Sequence, residues 1–509
     1  HADAEQEGET GDGGDEAKVQ LGSLYEAMIG AGAGFLSEEG SKKEVEETGI
    51  VFGMSLTSCS DSSQRIALHV LREDGGSTKT SELQGRRLLI KSMEVAIAVP
   101  THFTFLERMH VRQSLLLKVP GLSSCKLHMV DSMTAAAVEF VDGWYSNVYD
   151  VAGMEVLLLE SSSEVTAIGL ARVGPKKADV LHTEEAMELG EDRVLEEVSR
   201  CLAEEVEGEV DRLYNFKCET WTEEDMEDLR QLAQEVIRVL SQREEAHVTL
   251  SFSPSARDTS MQVDLRVSRA QLVEMLGKRG TVLASLERLA SRLISQAGEQ
   301  GEVKLLRGVA PVGASHCGAL LGRLLAKQLG ISPDNIHMFL QDSRNVAAGA
   351  ARTVLWEAPA GGKEESQEEG ERVARRCRVP YSCAVLHTAE EPSKSEAIII
   401  PWTAMDRELP LTCTVNDLDN VANQDFIISY REGGRVLACL PLAGSDEVTI
   451  TIDRDGCLSH QTRVGGDAVE SPIKLEAPNL VYHTNLEAGS IVDMEVEAVA
   501  SSLSPILQR

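Results

Sequence analysis

The sequence predicts a large mixed α/β domain, a charged linker and a small all-β domain, in that order. Three observations predict it. From Gly49 to about residue 358, short apolar runs alternate with long stretches whose apolar residues recur every three to four positions. Next comes "APAGGKEESQEEGERVARR", which is Gly-rich, charged and without any period, so residues 359–376 read as a linker. After Val379 the helical period disappears, and strand-like runs alternate with turn residues over 377–465. Residues 1–48 read as an acidic, disordered segment, and 466–509 as a β-rich tail.

Within the first domain, "GIVFGMSLTSC" and "SMEVAIAVP" have the continuous apolar character of buried strands. "VLLLESSSEVTAIGLARVG" reads as two strands around a serine turn. In "LGEDRVLEEVSRCLAEEVEGEVDRLY", Val194, Val198, Leu202, Val206 and Val210 fall on one face of an amphipathic helix. A second helix opens at Thr222, with acids from Glu223 to Glu227 favouring its positive N-terminus. "SRAQLVEMLGKRGTVLASLERLASRLI" reads as helical to about Ile294, and further helices are expected near Cys317–Leu329 and Val346–Trp356. In the second domain "EAIIIPW", "LPLTCTV", "DFIISYREGGRVLACLPL" and "EVTITIDRDGCLSHQ" read as strands, with "EGG" and "RDG" as hairpin turns.

Composition narrows the function. The 509 residues carry 49 Lys+Arg against 82 Asp+Glu, a net charge of −33. Phosphates are met by Lys and Arg, so direct nucleic-acid binding is not expected. The ten cysteines form no CxxC pair, which argues against zinc and fits a reducing compartment. No apolar run approaches the ~20 residues of a membrane helix, so no membrane partner is expected. The chain opens on His and not Met, which reads as a missing or processed start. His316 and Cys317 adjoin, but adjacency is not base–nucleophile geometry, and a buried structural pair is the plainer reading. "GAGAG" at 30–34 follows no strand, and the "DRDG" turn lacks a calcium loop's ligand series. Ile398–Ile400 and Phe426–Ile428 are candidates for a peptide groove or for ordinary sandwich core.

Several stretches, taken in order, resemble the DnaK-type seventy-kilodalton heat-shock chaperone family. They are "VAIAVPTHFTFLERMHVRQSLLLKVPGLSSCKLHMVDSMTAAAVEF", "LGED", "LRQLAQEVIRVLS", "VSRAQLVEM", "NVAAGAA" and the strand series from "SEAIIIPW" to "DRDGCLSH". The resemblance spans roughly residues 49–460. It implies an actin-like ATPase fold followed by a β-sandwich that grips peptides, and about fifty residues after "DGCLSHQ" without a long amphipathic helix imply no helical lid.

The family's catalytic residues are not matched. Val51 stands where its metal-facing Asp would be; Gly53 survives, and Thr57 and Ser58 offer hydroxyls. The water-placing Glu falls on Ser132, with Asp131 about a hundred degrees away if the segment is helical. The phosphate loop Asp-Leu-Gly-Gly-Gly-Thr becomes Ser161, Ser162, Ser163 and Glu164 after Glu160. Glycines let backbone N–H groups reach phosphate oxygens, and a carboxylate there repels a polyanion. On the adenosine side Gln234 and Ile237 replace a Glu and a Lys, leaving Arg238. "RGVAPVG" replaces the Gly-rich loop, keeping Gly308 but setting Arg307 and Pro311 at other loop positions; Gly349 remains in the last helix. About fifty residues separate "GIVFG" from "VPTHF", a shortened subdomain.

The resemblance therefore implies a degenerate ATPase, with no metal and at most weak ATP binding. It is nearest the family's lidless, ribosome-associated members that pair with a zuotin-type J-protein. The expected function is a non-catalytic scaffold or co-chaperone in a larger complex, with a J-protein-type co-chaperone or the ribosome as partner, in the cytoplasm. The alternatives are a weak ATP-dependent chaperone binding unfolded peptides, and a structural subunit of a ciliary or mitochondrial assembly. The segment Glu184–Asp228 holds eighteen Asp or Glu against four Lys or Arg. It reads either as a solvated face or as a docking surface for a basic partner, with Glu204, Glu205 and Glu207 as outward positions.

Overall fold

The computed structural model describes residues 46–357 with short gaps, and beyond them a set of short strands between residues 372 and 471. The acidic N-terminal segment before residue 46, Thr57 and Ser58, "EAIIIPW", the Asp453–Gly456 turn and the tail after residue 471 lie outside the described residues.

Two five-stranded sheets organise the described residues between 46 and 373. The first contains β1 (Glu46–Ser55), β2 (Ile66–Leu71), β3 (Ser77–Thr78), β4 (Leu88–Val99) and β5 (Lys126–Asp131), in the order β3-β2-β1-β4-β5. β2 runs antiparallel to β1 and β3, whereas β4 lies parallel to β1 and β5. Helix α1 (Phe105–Lys118) connects β4 to β5, and α2 (Ser132–Glu139) follows β5. The second sheet starts with an antiparallel meander, β6 (Met154–Ser161), β7 (Thr166–Gly174) and β8 (Lys177–Ala186). A mostly helical insertion follows: α3 (Glu191–Tyr214), α4 (Glu223–Gln242), the hairpin β9 (Glu245–Phe252) and β10 (Met261–Ser268), then α5 (Arg269–Arg279) and α6 (Thr281–Glu299). β11 (Leu306–Val312) then pairs parallel with β6, and α7 (His316–Gln328) and α8 (Ser343–Glu357) follow. β12 (Arg372–Val373), inside the stretch read as a linker, adds to the far edge against Lys177–Ala178. Both sheets thus share one plan: a three-stranded meander whose first strand is flanked on its other side by a parallel strand.

Period-two alternation lets the second sheet serve two cores. Leu157 and Leu159 of β6, Ile168 and Leu170 of β7, Leu181 of β8 and Val309 of β11 face the insertion helices. Val156, Leu158, Ala167, Ala171, Ala178 and Ala310 face the other way, into a core shared with Val51, Ala96 and Ala98 of the first sheet. That shared core is built from small residues because α2 and α8 lie within it. A Cβ on Gly349 of α8 would fall 1.9 Å from the Ala135 carbonyl oxygen of α2, and one on Gly169 would fall 2.5 Å from the Met133 sulfur. Only a residue without a side chain permits such approach.

The amphipathic reading of α3 holds: all five predicted positions are buried, each stabilising by roughly 1.5–3 kcal/mol when fully withdrawn from water. Thr222 caps α4 reciprocally with Asp225. The stretch expected to be one helix to Ile294 is two. Gly280 stops α5 with φ 77°, a left-handed conformation that glycine adopts freely, and α6 runs on to Glu299. The β9–β10 hairpin fills the stretch between the second and third predicted helices, which the sequence reading leaves unassigned although Ala246, Val248 and Leu250 alternate with polar residues as a half-buried strand requires. Glu207 is not outward: it accepts a hydrogen bond from Trp221 Nε1 at 2.7 Å, and Glu204 is held by Arg279 at 2.5 Å.

Between residues 376 and 471 every described pairing is antiparallel. Tyr381–His387, Phe426–Glu432 and Arg435–Pro441 form one sheet, and Leu411–Val415, Glu447–Ile452, Leu458–Val464 and Asp467–Ser471 another. The "EGG" hairpin joins Phe426–Glu432 to Arg435–Pro441 as its turn residues predict. Among the described residues no helix is long and apolar enough to cross a membrane.

Candidate functional site: a sealed cleft between two sheets

In α/β proteins ligands collect where parallel strands end. Here β4, β5 and β6 deliver Thr101, Asp131 with Ser132, and Glu160 to one place, although they belong to two different sheets. The Thr101 N–H donates to Glu160 Oε2 at 3.0 Å. Thr101 Oγ1 and Ser132 Oγ share a hydrogen bond at 3.1 Å, and the Met133 N–H reaches Thr101 Oγ1 at 3.4 Å. Asp131 is not helical. It sits in extended backbone as the N-cap of α2 and accepts from the Thr134 N–H at 2.8 Å. The helical offset of about a hundred degrees between Asp131 and Ser132 therefore does not apply, and capping occupies Oδ1.

Glu160 is buried to 4 % exposure, and its Oε1 has no hydrogen-bond partner. Burial, which penalises the charged form, pushes its carboxyl up to about 7; hydrogen bonds from Ser132 and Thr101 oppose that rise, and the nearby Asp131 adds to it. Near neutral pH this group is therefore divided between its protonated and ionised forms.

The serine turn is closed on itself. Ser161 and Thr166 are the last paired residues of β6 and β7, and their hydroxyls meet at 2.8 Å. The Ser162 N–H donates to the Val165 carbonyl at 2.9 Å, as does the Ser162 hydroxyl at 3.0 Å. The outer carbonyls are occupied too: the N–H groups of Glu191 and Asp192 donate to the Ser162 and Ser163 carbonyl oxygens at 2.8 and 3.1 Å. A helix N-terminus normally leaves such N–H groups free for an anion, whereas here the first turn of α3 spends them on the turn itself. Gly190 makes this possible, since a Cβ there would lie 2.4 Å from the Glu164 carbonyl carbon. Behind the turn, the Glu191 carboxyl is buried beside Ser315, the N-cap of α7. Its pKa is raised first by burial and further by Asp192, against a hydrogen bond from Ser315. The Cys317 thiol, beside Ser161, is pushed well up by burial.

The structure brings Glu160, Ser161, Ser162 and Ser163 to the same place as Asp131 and Ser132, but not Val51, Gly53, Arg238, Gly308 or Gly349. Val51 is fully buried in the shared core. Gly53 is a packing glycine, its absent side chain replaced by the Ala347 carbonyl of α8 at 1.9 Å, and Gly349 plays the same part against α2. "RGVAPVG" is not a loop: residues 306–312 are strand β11, Gly308 lies beneath the His337 ring, and Pro311 is opposite Leu159. The turn after that strand begins at Gly313, with φ 81°, and ends at the Ser315 cap. Arg238 is exposed on α4 and forks onto Glu235 at 2.6 and 2.7 Å, and Ile237 is buried. His316 and Cys317 face different partners, His316 Nδ1 approaching Ser241 Oγ at 3.4 Å. Thr101, Glu191, Gly313 and Ser315 were missed. Their signals were a Thr just past a strand-ending Pro, and a Gly-x-Ser step between a strand and a helix.

These residues do not fit magnesium–ATP. A metal-bound triphosphate needs ionised oxygens for the metal and free amides for the phosphates. Val51 offers no oxygen, Asp131 caps a helix, Glu160 is half-protonated near neutrality, and the amides at Glu191 and Asp192 are already engaged. Scans of the sequence against protein-family models and against curated proteins gave no match.

Proposed function

We propose that the chain is a non-catalytic, chaperone-like scaffold with a degenerate actin-like core, working inside a larger protein complex. The observation that carries this reading is the sealed serine turn, whose carbonyls take the N–H groups that an open phosphate cradle would present. The shared plan of the two sheets, with α2 and α8 packed between them, supports the actin-like assignment. The antiparallel sheets at 376–471 support a sandwich-type second domain. A J-protein-type co-chaperone or the ribosome is the partner to which the sequence resemblance points.

Native purification with mass spectrometry, together with calorimetric titration of magnesium–ATP, tests this. A stoichiometric protein partner and no heat of nucleotide binding are expected. A nucleotide site at a hundredfold excess over Kd would stabilise the fold by about 2.7 kcal/mol. A melting shift of that size, or magnesium-dependent turnover, would overturn the reading, as would recovery of the chain as a free monomer.

A further inference from the structure

Glu160 belongs to the second sheet, yet its hydrogen-bond partner belongs to the first. Oε2 takes the Thr101 N–H at the end of β4, and the Ser132 hydroxyl at the start of α2 lies beside the carboxyl without a hydrogen bond to its free oxygen. Thr101 and Ser132 are tied to each other at 3.1 Å. One side chain thus spans the cleft where the strand ends meet, and it does so with one oxygen buried and unpartnered. A protonated carboxyl carries no charge, so it loses far less than a carboxylate does by being held away from water in this arrangement. An ionised one keeps a desolvated oxygen that only water can satisfy, and water enters only if the two sides part.

We propose that Glu160 is a proton-controlled latch that closes the cleft between the two sheets when protonated and releases it when ionised. The surroundings isolate its titration. Asp131 faces it from the α2 cap. His102, beside Thr101, is buried next to Arg108 and held down to about 4, so it stays neutral across the relevant range. Glu191 lies beyond Ser161, Glu164 is exposed at the turn's tip, and the flanking positions on β7 and β11 are the apolar Ala167 and Val312. The inference does not depend on the scaffold reading, because it concerns only how the two sides are joined.

The test is hydrogen exchange by mass spectrometry on the full chain between pH 5 and pH 8.5, corrected for intrinsic exchange. The probes are peptides covering residues 99–103 and 130–136, with α3 as the control. If opening exposes Glu160 to water, the opening constant rises by up to tenfold per pH unit between about 4.5 and 7, then levels off. Protection at the two latch peptides is expected to follow that curve in the wild type and to be flat in Glu160→Gln, which mimics the protonated carboxyl. Ser132→Ala removes the hydroxyl tied to Thr101 without removing the titrating group, so it should lower protection throughout and keep the pH dependence. A flat wild-type profile would overturn the latch, as would a fall shared equally by α3 or an unchanged fall in Glu160→Gln. The wild-type profile alone decides the matter if either variant fails to fold.

Discussion

Replacing Gly349 by Ala sets two effects of known sign against each other. In a helix interior Ala is favoured over Gly by about 1 kcal/mol. At this position, however, the new methyl would sit 1.9 Å from the Ala135 carbonyl oxygen, about 1.5 Å short of the 3.4 Å at which ordinary contact begins. The obstacle is backbone of α2, which no rotamer change can move, so the two helices must separate within the shared core. Forcing atoms into a packed interior costs typically 1–3 kcal/mol, and a backbone obstacle places this case at the upper end. Steric cost wins, and Gly349→Ala is expected to destabilise by roughly 1–2 kcal/mol net. Gly208 supplies the control. It is exposed within α3, and a Cβ there meets nothing within 4 Å, so Gly208→Ala should stabilise by up to about 1 kcal/mol. Urea unfolding followed by far-ultraviolet circular dichroism would show midpoints moving in opposite directions. A Gly349→Ala chain as stable as the parent, or a Gly208→Ala chain less stable, would refute the reasoning about both sites.

Glu160→Gln should alter stability with pH in a defined way. Its carboxyl is raised from 4.5 to about 7, so the wild type loses stability as pH climbs through that window, up to roughly 3 kcal/mol at ~1.4 kcal/mol per unit. The variant should match the wild type below pH 4.5 and exceed it above pH 7, a divergence that melting curves at the two pH extremes would reveal. Glu207→Ala removes the acceptor of the Trp221 indole and should cost about 1–2 kcal/mol, whereas Glu205→Lys, on the exposed side of the same helix, should change stability by less than about 0.5 kcal/mol; thermal unfolding separates them. Arg352 is buried against Glu139 and pairs with Asp142 at 3.0 Å, so Arg352→Ala should cost about 3–5 kcal/mol by stranding a buried carboxylate, with Arg352→Ala/Glu139→Gln recovering part of it. The Cys317 thiol should resist alkylation at pH 8 in the native chain and react once unfolded, as peptide mass mapping would show.

The sequence spoke clearly wherever one side of an element met water. α3 was legible because its apolar residues keep to one face, and the Thr222 start because its cap chemistry is local. β9 and β10 carried an equally clear alternation that was passed over between two helices. β11 was misread because "RGVAPVG" holds two glycines and a proline, a turn's composition. Yet Gly308 answers to the His337 ring above it and Pro311 to its place beside β6, neither of which is a sequence neighbour. The site divided in the same manner. The serine turn was visible as a strand–turn–strand pattern, and its sealing was not, because the groups that seal it come from Glu191 and Asp192 about thirty residues on. Gly53 and Gly349 drew attention as cradle glycines because sequence cannot tell a glycine that admits a ligand from one that admits a helix.

The two faces of the second sheet have unequal latitude for change. On the side of the insertion helices, Leu157, Leu159, Ile168 and Leu170 are large and interchangeable in kind, so exchanges among Leu, Ile and Met keep volume and cost little. On the other side Ala167, Gly169 and Ala171 leave no room, because a helix lies directly upon them. Since these positions alternate along one strand, saturation mutagenesis of residues 167–171 should return a record with a period of two, permissive at 168 and 170 and closed at 167, 169 and 171. Drift along β7 would accumulate on one side of the ribbon while the other stayed still.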